Sequence, residues 1–320
     1  MAAEAALEDH MIRIHLPCLL SFFIGLVMLL PVTVSADLYI TIVQGLDGTP
    51  EYGQQFSDQV GKLRMAAESV TDKKLIKLIT GEEATRENIL SHFNGLDESL
   101  AAGDRLAVFL IGHGSYDGYE YKFNIPGPDL TDADLTGMMD TLPAKTQLLV
   151  NTSSASGELM EGMKKDTRIV ITATRNGSER LATRFGTYFA DAFLDPAADI
   201  NKNNAVSVQE AFDYAERQVK DYFESAGQLA TEHPVIAGEM ASQFVLARTG
   251  SVPQQDGDPA LAGLIEQRNR IDTRIEDLQL RKNNMAPDDY LNQLQMLMID
   301  LSTVQDRIDQ HNNNGGQNGP

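Results

Sequence analysis

The chain is short of the residues that do redox and metal chemistry. It has 320 residues, no tryptophan and one cysteine, Cys18. Cys18 lies within an N-terminal stretch expected to be removed, far upstream of the cleavage position and without a lipobox around it. The mature chain therefore has no thiol for a disulfide, a thiolate metal site or a cysteine nucleophile. It is also poor in bases, with 26 Lys+Arg against 46 Asp+Glu and a formal net charge of −20. Such a charge excludes non-specific nucleic-acid binding and favours solubility. Without disulfides, stability must come from an ordinary apolar core, and hydrophobic residues at 42% are sufficient for one.

No Asp, Glu, Lys or Arg occurs from Ile14 to Ala36. Arg13 precedes this stretch, and Val34-Ser35-Ala36 supplies small residues at its end, so residues 1–36 read as an export signal with Asp37 as the mature N-terminus. Met11 is a better start than Met1, because Glu4, Glu8 and Asp9 stand where a positive n-region belongs. The expected location is periplasmic or secreted, with no stable membrane span after cleavage. The alternative is an uncleaved anchor, since the stretch is nearly long enough to span a bilayer.

From residue 37 to 250 strand and helix patterns alternate. DLYITIVQGL, KLIKLIT, RLAVFLIG, TQLLVNT, TRIVITAT and SQFVLAR read as strands. Helical spacing appears between them, at Phe56, Val60, Leu63 and Ala67 and again at Ile89, Leu90, Phe93 and Leu96. This alternation predicts an α/β fold, a three-layer sandwich with a mostly parallel sheet covered on both faces. His92 and His311 are expected at the surface. Residues 251–259 read as a Gly/Pro/Gln/Asp linker. Residues 260–310 read as an antiparallel helical hairpin. Its apolar stripes are Leu261, Leu264, Ile271, Ile275 and Leu278, and Leu294, Leu297, Leu301, Val304 and Ile308, with Pro287 opening the second helix. Either the two stripes bury each other or one meets a partner. Residues 311–320 are low-complexity and expected to be disordered.

DINKNNAVSVQE, Asp199 to Glu210, fits a twelve-residue calcium loop. Side-chain oxygens of Asp199, Asn201 and Asn203 fall at positions one, three and five. The Ala205 carbonyl is at seven, Ser207 at nine and a bidentate Glu210 at twelve. Asn204 stands where glycine is usual, but asparagine tolerates the left-handed conformation. Two carboxylates imply weak affinity for Ca2+. The competing reading is a polar interhelical turn with Ser207 as N-cap.

Two apolar runs end in turns suited to chemistry. IGHGSYDG carries His113 between Gly112 and Gly114, and NTSSASG carries Ser153 and Ser154. Both turns, and Arg175 after TRIVITAT, are predicted at the carboxyl ends of strands, where open α/β sheets bind ligands. The order strand, GHG, strand, SSASG, strand resembles the caspase/legumain superfamily of cysteine peptidases, specifically a bacterial exported, legumain-like branch. The resemblance covers residues 37 to 250, with GLDGTPEY, GPDLTDADL and the segment at His233 as weaker matches. It implies that His113 is the family's histidine and that Ser154 stands where the nucleophilic cysteine would be, Ser153 being the alternative. It also implies an oxyanion hole built from the nucleophile's N–H and one near Gly114.

Serine does not ionise near neutral pH and needs a well-oriented base. Asp117 is near His113 in sequence, without an assigned geometry. Two functions follow. One is a catalytically inactive peptidase homologue acting as a binding or scaffold module, with a peptide or protein partner at the cleft or the hairpin. The other is a hydrolase using Ser154, or Ser153, with His113. A third location, around Arg175, Glu179 and Arg180, is either a substrate-binding loop or a solvated one.

Overall fold

The computed structural model describes residues 36–248, 259–282 and 285–315. The expected export signal and most of the linker lie outside these residues. The elements run β1 (Leu38–Gln44), α1 (Pro50–Glu68), β2 (Ile76–Ile79), α2 (Arg86–Ser99), β3 (Arg105–Ile111), β4 (Gly114–Tyr116), β5 (Tyr121–Phe123) and β6 (Leu130–Thr131). They continue through α3 (Asp132–Thr141), β7 (Thr146–Asn151), α4 (Met160–Met163), β8 (Arg168–Thr172), α5 (Phe185–Ala192), β9 (Ala205–Ser207) and α6 (Val208–Ser225). Last come β10 (Val235–Ala237), β11 (Val245–Arg248), α7 (Pro259–Leu280) and α8 (Pro287–Gly315).

The central sheet has the order β10-β8-β7-β3-β1-β2. All neighbours are parallel except β10, which runs antiparallel to β8. The inner strands are apolar on both faces because helices cover both. Ala107, Phe109 and Ile111 of β3 point into the layer made by α1, α5 and α6, where Phe56, Leu63, Phe185, Phe189 and Phe212 are buried. Leu106, Val108 and Leu110 point into the layer of α2, α3 and α4, against Ile89, Phe93, Leu135, Met139 and Met163. The three-layer α/β architecture expected from the alternation is therefore the one observed.

Helix starts follow local chemistry. Thr49 caps α1 with a proline in its first turn, and Thr85 caps α2. Thr131 and Asp134 form a capping box at α3, and Ser207 and Glu210 form one at α6.

Several short elements escaped the sequence pattern. β4, β5 and β6 form a three-stranded antiparallel sheet directly after His113, and each is only two or three residues long. β10 is a three-residue strand within TEHPVIAGE. β11 is a strand as expected, but it pairs with β9 in a separate two-stranded sheet. Helices α7 and α8 share a cluster of Ile271, Leu278, Leu297, Val304 and Ile308. An Arg248–Asp272 contact of 3.3 Å joins α7 to the end of β11. Helix α8 continues to Gly315, so residues 311–315 are helical where disorder was expected: adding a residue to an existing helix costs far less than starting one. Among the described residues no helix is long and apolar enough to cross a membrane.

His92 is not a surface residue. The stripe of Ile89, Phe93 and Leu96 turns α2 so that the His92 ring lies against β1, with Nε2 2.9 Å from the Thr41 hydroxyl. Burial disfavours the imidazolium, helped by the Lys77 charge, and lowers its pKa to about 4. An unfolded chain binds this proton near pH 6.5. Between about pH 6.5 and 4 the unfolded state therefore takes up a proton that the folded state refuses, and stability falls as pH falls. Thermal melts of wild type and His92→Gln across this range should show a smaller acid-side loss in the variant. The difference should be on the order of 1–3 kcal/mol; parallel curves would show that His92 titrates normally.

Candidate active site

Strands β3 and β7 are parallel neighbours, and their ends place two turns side by side. The contact is so close that Gly114 admits no side chain. A Cβ there would lie 2.5 Å from Ser153 Oγ, 2.6 Å from the Ser154 carbonyl oxygen and 2.8 Å from the Tyr121 hydroxyl. The structure thus brings His113, Gly114, Ser153 and Ser154 together at the carboxyl edge of the sheet.

His113 stands against α1. Its ring makes edge contacts with Tyr52 and Phe56, at centroid distances of 4.7 and 5.1 Å. Nε2 is 3.2 Å from the backbone carbonyl of Asp47, in the turn after β1. A carbonyl can only accept, so in this contact the ring donates from Nε2. The Asp47 turn is held by Gln44, whose Nε2 donates to Asp47 Oδ1 at 3.0 Å. Gly48, with φ +70°, passes beside the ring.

The orienting group for His113 is thus a main-chain carbonyl in GLDG. No side-chain pattern could have pointed to it. Asp117 does something else. It takes the N–H groups of Glu120 and Tyr119 at 3.0 Å and the Lys122 ammonium at 3.1 Å, closing the β4–β5 turn. Those donors lower its pKa to about 2.

The two serines are in different situations. Ser153 is fully buried. Its hydroxyl belongs to a closed ring: Asn151 Nδ2 donates to the Tyr121 oxygen at 2.8 Å, and Ser153 Oγ donates to Asn151 Oδ1 at 2.9 Å. The Tyr121 and Ser153 oxygens, 2.6 Å apart, close it. Burial pushes the Tyr121 pKa up to about 12, so this ring holds a neutral phenol. Ser154 Oγ donates outside that ring, to the Gly114 carbonyl at 2.9 Å. Ala155 follows in the left-handed region, φ 56°, which is costly for a residue with a side chain. Its N–H donates to the Glu179 carbonyl at 2.8 Å.

The rest of SASG ties this turn to β8. Ser156 Oγ accepts the Ala173 and Thr174 N–H groups at 3.1 and 3.3 Å. Gly157 lets the chain through, because a Cβ would lie 2.2 Å from the Arg175 carbonyl carbon. Arg175 itself is exposed, with Nη2 3.5 Å from Glu179 Oε1. The Glu179 carboxylate also takes the Arg175 N–H, the His233 N–H and His233 Nδ1, at 3.0, 3.0 and 2.6 Å. The loop after β8 is therefore clamped between Ala155 and the segment leading into β10. This Glu179–His233 link spans 54 residues and has no signature in local sequence. Arg180 is exposed at the rim, with Nε 3.4 Å from the Gly177 carbonyl.

The loop from Asp199 to Glu210 lies apart from this edge in sequence, between α5 and α6. Asp199 accepts the Asn203 and Asn204 N–H groups at 3.1 and 2.9 Å, and Asn201 Oδ1 accepts the Asn203 N–H at 3.0 Å. Asn203 Oδ1 accepts the Ala205 N–H at 2.9 Å. Glu210 Oε1 accepts the Asn201 N–H at 3.4 Å, while Oε2 takes the Ser207 N–H and hydroxyl at 3.0 and 2.8 Å. Lys202 and Asn204 are left-handed, φ 57° and 60°. The oxygens of Asp199, Asn201, Asn203 and Glu210 are gathered by main-chain N–H groups, while Ser207 caps α6.

The turns that carry His113 and Ser154 thus emerge side by side at the carboxyl edge of a mostly parallel α/β sandwich, after its third and fourth parallel strands. The chain belongs to the peptidase C13 family, whose model matches residues 53–242, more than half of the sequence. This is the legumain-like group that the two turn motifs resemble. Two solved structures align with part of the chain. Protein GSU0716 from Geobacter sulfurreducens shares 12% identity, with a TM-score of 0.44 over 68% of this chain and all of its own. Caspase-1 from Spodoptera frugiperda shares 11% identity, with a TM-score of 0.41 over 68% of this chain and 92% of its own. No curated protein matches the sequence.

The contact at Gly114 generates a test. Gly114→Ala should force apart two turns that touch through main chain and buried hydroxyls, costing about 1–3 kcal/mol or more. Urea unfolding should show that loss, whereas Gly137→Ala, in open space on α3, should be neutral or slightly stabilising. Equal midpoints for both variants would contradict the packing described here.

Proposed function

We propose that this protein is an exported, catalytically silent member of the peptidase C13 family whose cleft binds a peptide or protein segment. The observation that carries the reading is the state of Ser154. By the resemblance of its turn it stands where the family's thiol would be, and its hydroxyl hydrogen is given to the Gly114 carbonyl. A serine at this position must surrender its proton to His113 during attack, because it does not ionise alone. Ser153 offers no substitute, since its hydroxyl is locked into the buried ring with Tyr121 and Asn151. The His113 ring, the Gly114 turn and the clamped Glu179 loop keep the cleft's shape without a thiolate in it. Export rests on the charge-free stretch before Asp37 and the small residues that end it.

Wild-type protein should cleave no member of a broad peptide library and should take up no fluorophosphonate at Ser154. Removing the nucleophile of a serine peptidase costs about 10⁶-fold in turnover, which sets the sensitivity needed. Cleavage lost in both Ser154→Ala and His113→Ala would overturn the proposal and establish a serine peptidase on this fold. In Ser154→Cys, alkylation by iodoacetamide at neutral pH that slows when His113 is changed to Ala would show that the histidine can still draw a proton from this position.

We further propose that the Asp199–Glu210 loop binds Ca2+. The supporting observation is its backbone. Lys202 and Asn204 adopt left-handed conformations within it, and the Asp199, Asn201, Asn203 and Glu210 oxygens accept N–H groups from the same loop; the Ala205 carbonyl and Ser207 would complete a calcium-loop ligand set. Hard cations take oxygen ligands of this kind. Calcium at about ten times its Kd should stabilise the fold by roughly 1.4 kcal/mol through mass action. That corresponds to a few degrees in Tm. Glu210→Gln should abolish most of the rise. A melting curve unmoved by millimolar Ca2+ would leave this segment as a capped polar turn.

A further inference from the structure

The loop after β8 carries the dipeptide Asn176-Gly177. Packing requires the glycine. A Cβ at residue 177 would lie 2.3 Å from Tyr116 Cδ1 and 2.8 Å from Glu158 Oε2. Asn176 and Ser178, on either side, are exposed. Asn176 Oδ1 accepts two hydrogen bonds from Ser178, from its N–H at 2.9 Å and from its hydroxyl at 2.6 Å. The ring closed by the N–H bond contains both the Asn176 Cγ and the Gly177 nitrogen, so the side-chain amide is folded back over the peptide unit that follows it. The Gly177 N–H donates to Glu158 Oε2 at 3.2 Å. The Glu179 N–H, 3.3 Å from the Asn176 carbonyl, closes the turn.

These contacts put chemistry within one turn. Two donors already sit on the Asn176 amide oxygen, where charge gathers when its carbon is attacked. A carboxylate already accepts the proton of the neighbouring nitrogen. Glycine leaves that nitrogen unhindered. We propose that Asn176 is a self-modification site, at which the Gly177 nitrogen attacks the Asn176 side chain, expels ammonia and forms a cyclic imide. The bond from Gly177 N to Asn176 Cγ forms as the Gly177 proton passes to Glu158. The negative charge on Oδ1 is met by the Ser178 N–H and O–H. The Cγ–Nδ2 bond then breaks, and the proton held by Glu158 returns through water to the departing nitrogen, which leaves as ammonia. Water opens the imide at either carbonyl, leaving aspartate or isoaspartate at position 176. The imide nitrogen carries no hydrogen, so the bond from Gly177 to Glu158 is lost in the first step. Hydrolysis then adds a carboxylate to the loop that Glu179 ties to Ala155 and His233. None of this depends on whether the cleft binds a peptide.

The full chain should be held at neutral pH, sampled over days and digested, with the Asn-Gly peptides followed by mass for loss of ammonia and then gain of water. Asn94-Gly95 is the internal control, because it lies within α2, where main-chain bonding occupies the Gly95 N–H. Asn176 should convert at least about tenfold faster than Asn94. It should also convert faster in the folded chain than in urea, where the two sites should react alike. Glu158→Gln keeps an acceptor for the Gly177 N–H but is a poor base, and Ser178→Ala removes one donor from Oδ1. Each should slow Asn176 by about tenfold. Ser178→Thr keeps the hydroxyl and should keep the rate. If Asn176 reacted no faster in the folded chain than in urea, the dipeptide alone would set its reactivity and the proposal would fall. It would fall equally if Glu158→Gln and Ser178→Ala both converted at the wild-type rate.

Discussion

Parallel pairing of β3 with β7, with Arg105 opposite Thr146 and Leu110 opposite Asn151, is the constraint from which the site follows. In a parallel pair both strands end at the same edge, so the turn carrying His113 and the turn carrying Ser154 must emerge together. The register then brings them into contact, and the contact excludes a side chain at Gly114. A shift of one residue would exchange the two faces of the strand and expose Leu106, Val108 and Leu110 to the wrong layer. The apolar alternation of β3 therefore protects the contact of the two turns as well as the core.

The carboxyl edge of the sheet is held together by hydrogen bonds that run crosswise to it. The Asn151–Tyr121–Ser153 ring ties β7 to the small sheet after His113. Ser156 ties the serine turn to β8, and Glu179 ties that turn's neighbour to the chain entering β10. Each of these groups is partnered, so the polar edge carries little of the desolvation cost that isolated buried hydroxyls would impose. The framework is rigid independently of any chemistry at Ser154.

Electrostatically, this is an acidic molecule whose chemistry-bearing residues are mostly uncharged. Hydroxyls and main-chain carbonyls do the positioning at the carboxyl edge of the sheet. Carboxylates are used as acceptors for N–H groups in the Asp199–Glu210 loop, in the Asp117 turn and at Glu179.

Local chain chemistry was sufficient for the strands with strong apolar runs, the helices with clean periodicity, the turn motifs and the helical hairpin. Each depends on residues close together in sequence, whose spacing mirrors the repeat of a helix or a strand. The family too was legible, because GHG and SASG encode close backbone passages that admit only glycine or a small hydroxyl residue. The short strands β4, β5, β6 and β10 were not legible, since two or three residues carry no period and are held by pairing with distant chain. Only the tertiary structure decided which serine is locked and which faces the Gly114 carbonyl. It alone showed that a carbonyl at Asp47 holds His113, that His233 joins Glu179, and that His92 is folded inward. Those choices are made by atoms brought together across tens of residues, and hydrogen-bond geometry of that kind leaves no trace in the order of neighbouring amino acids.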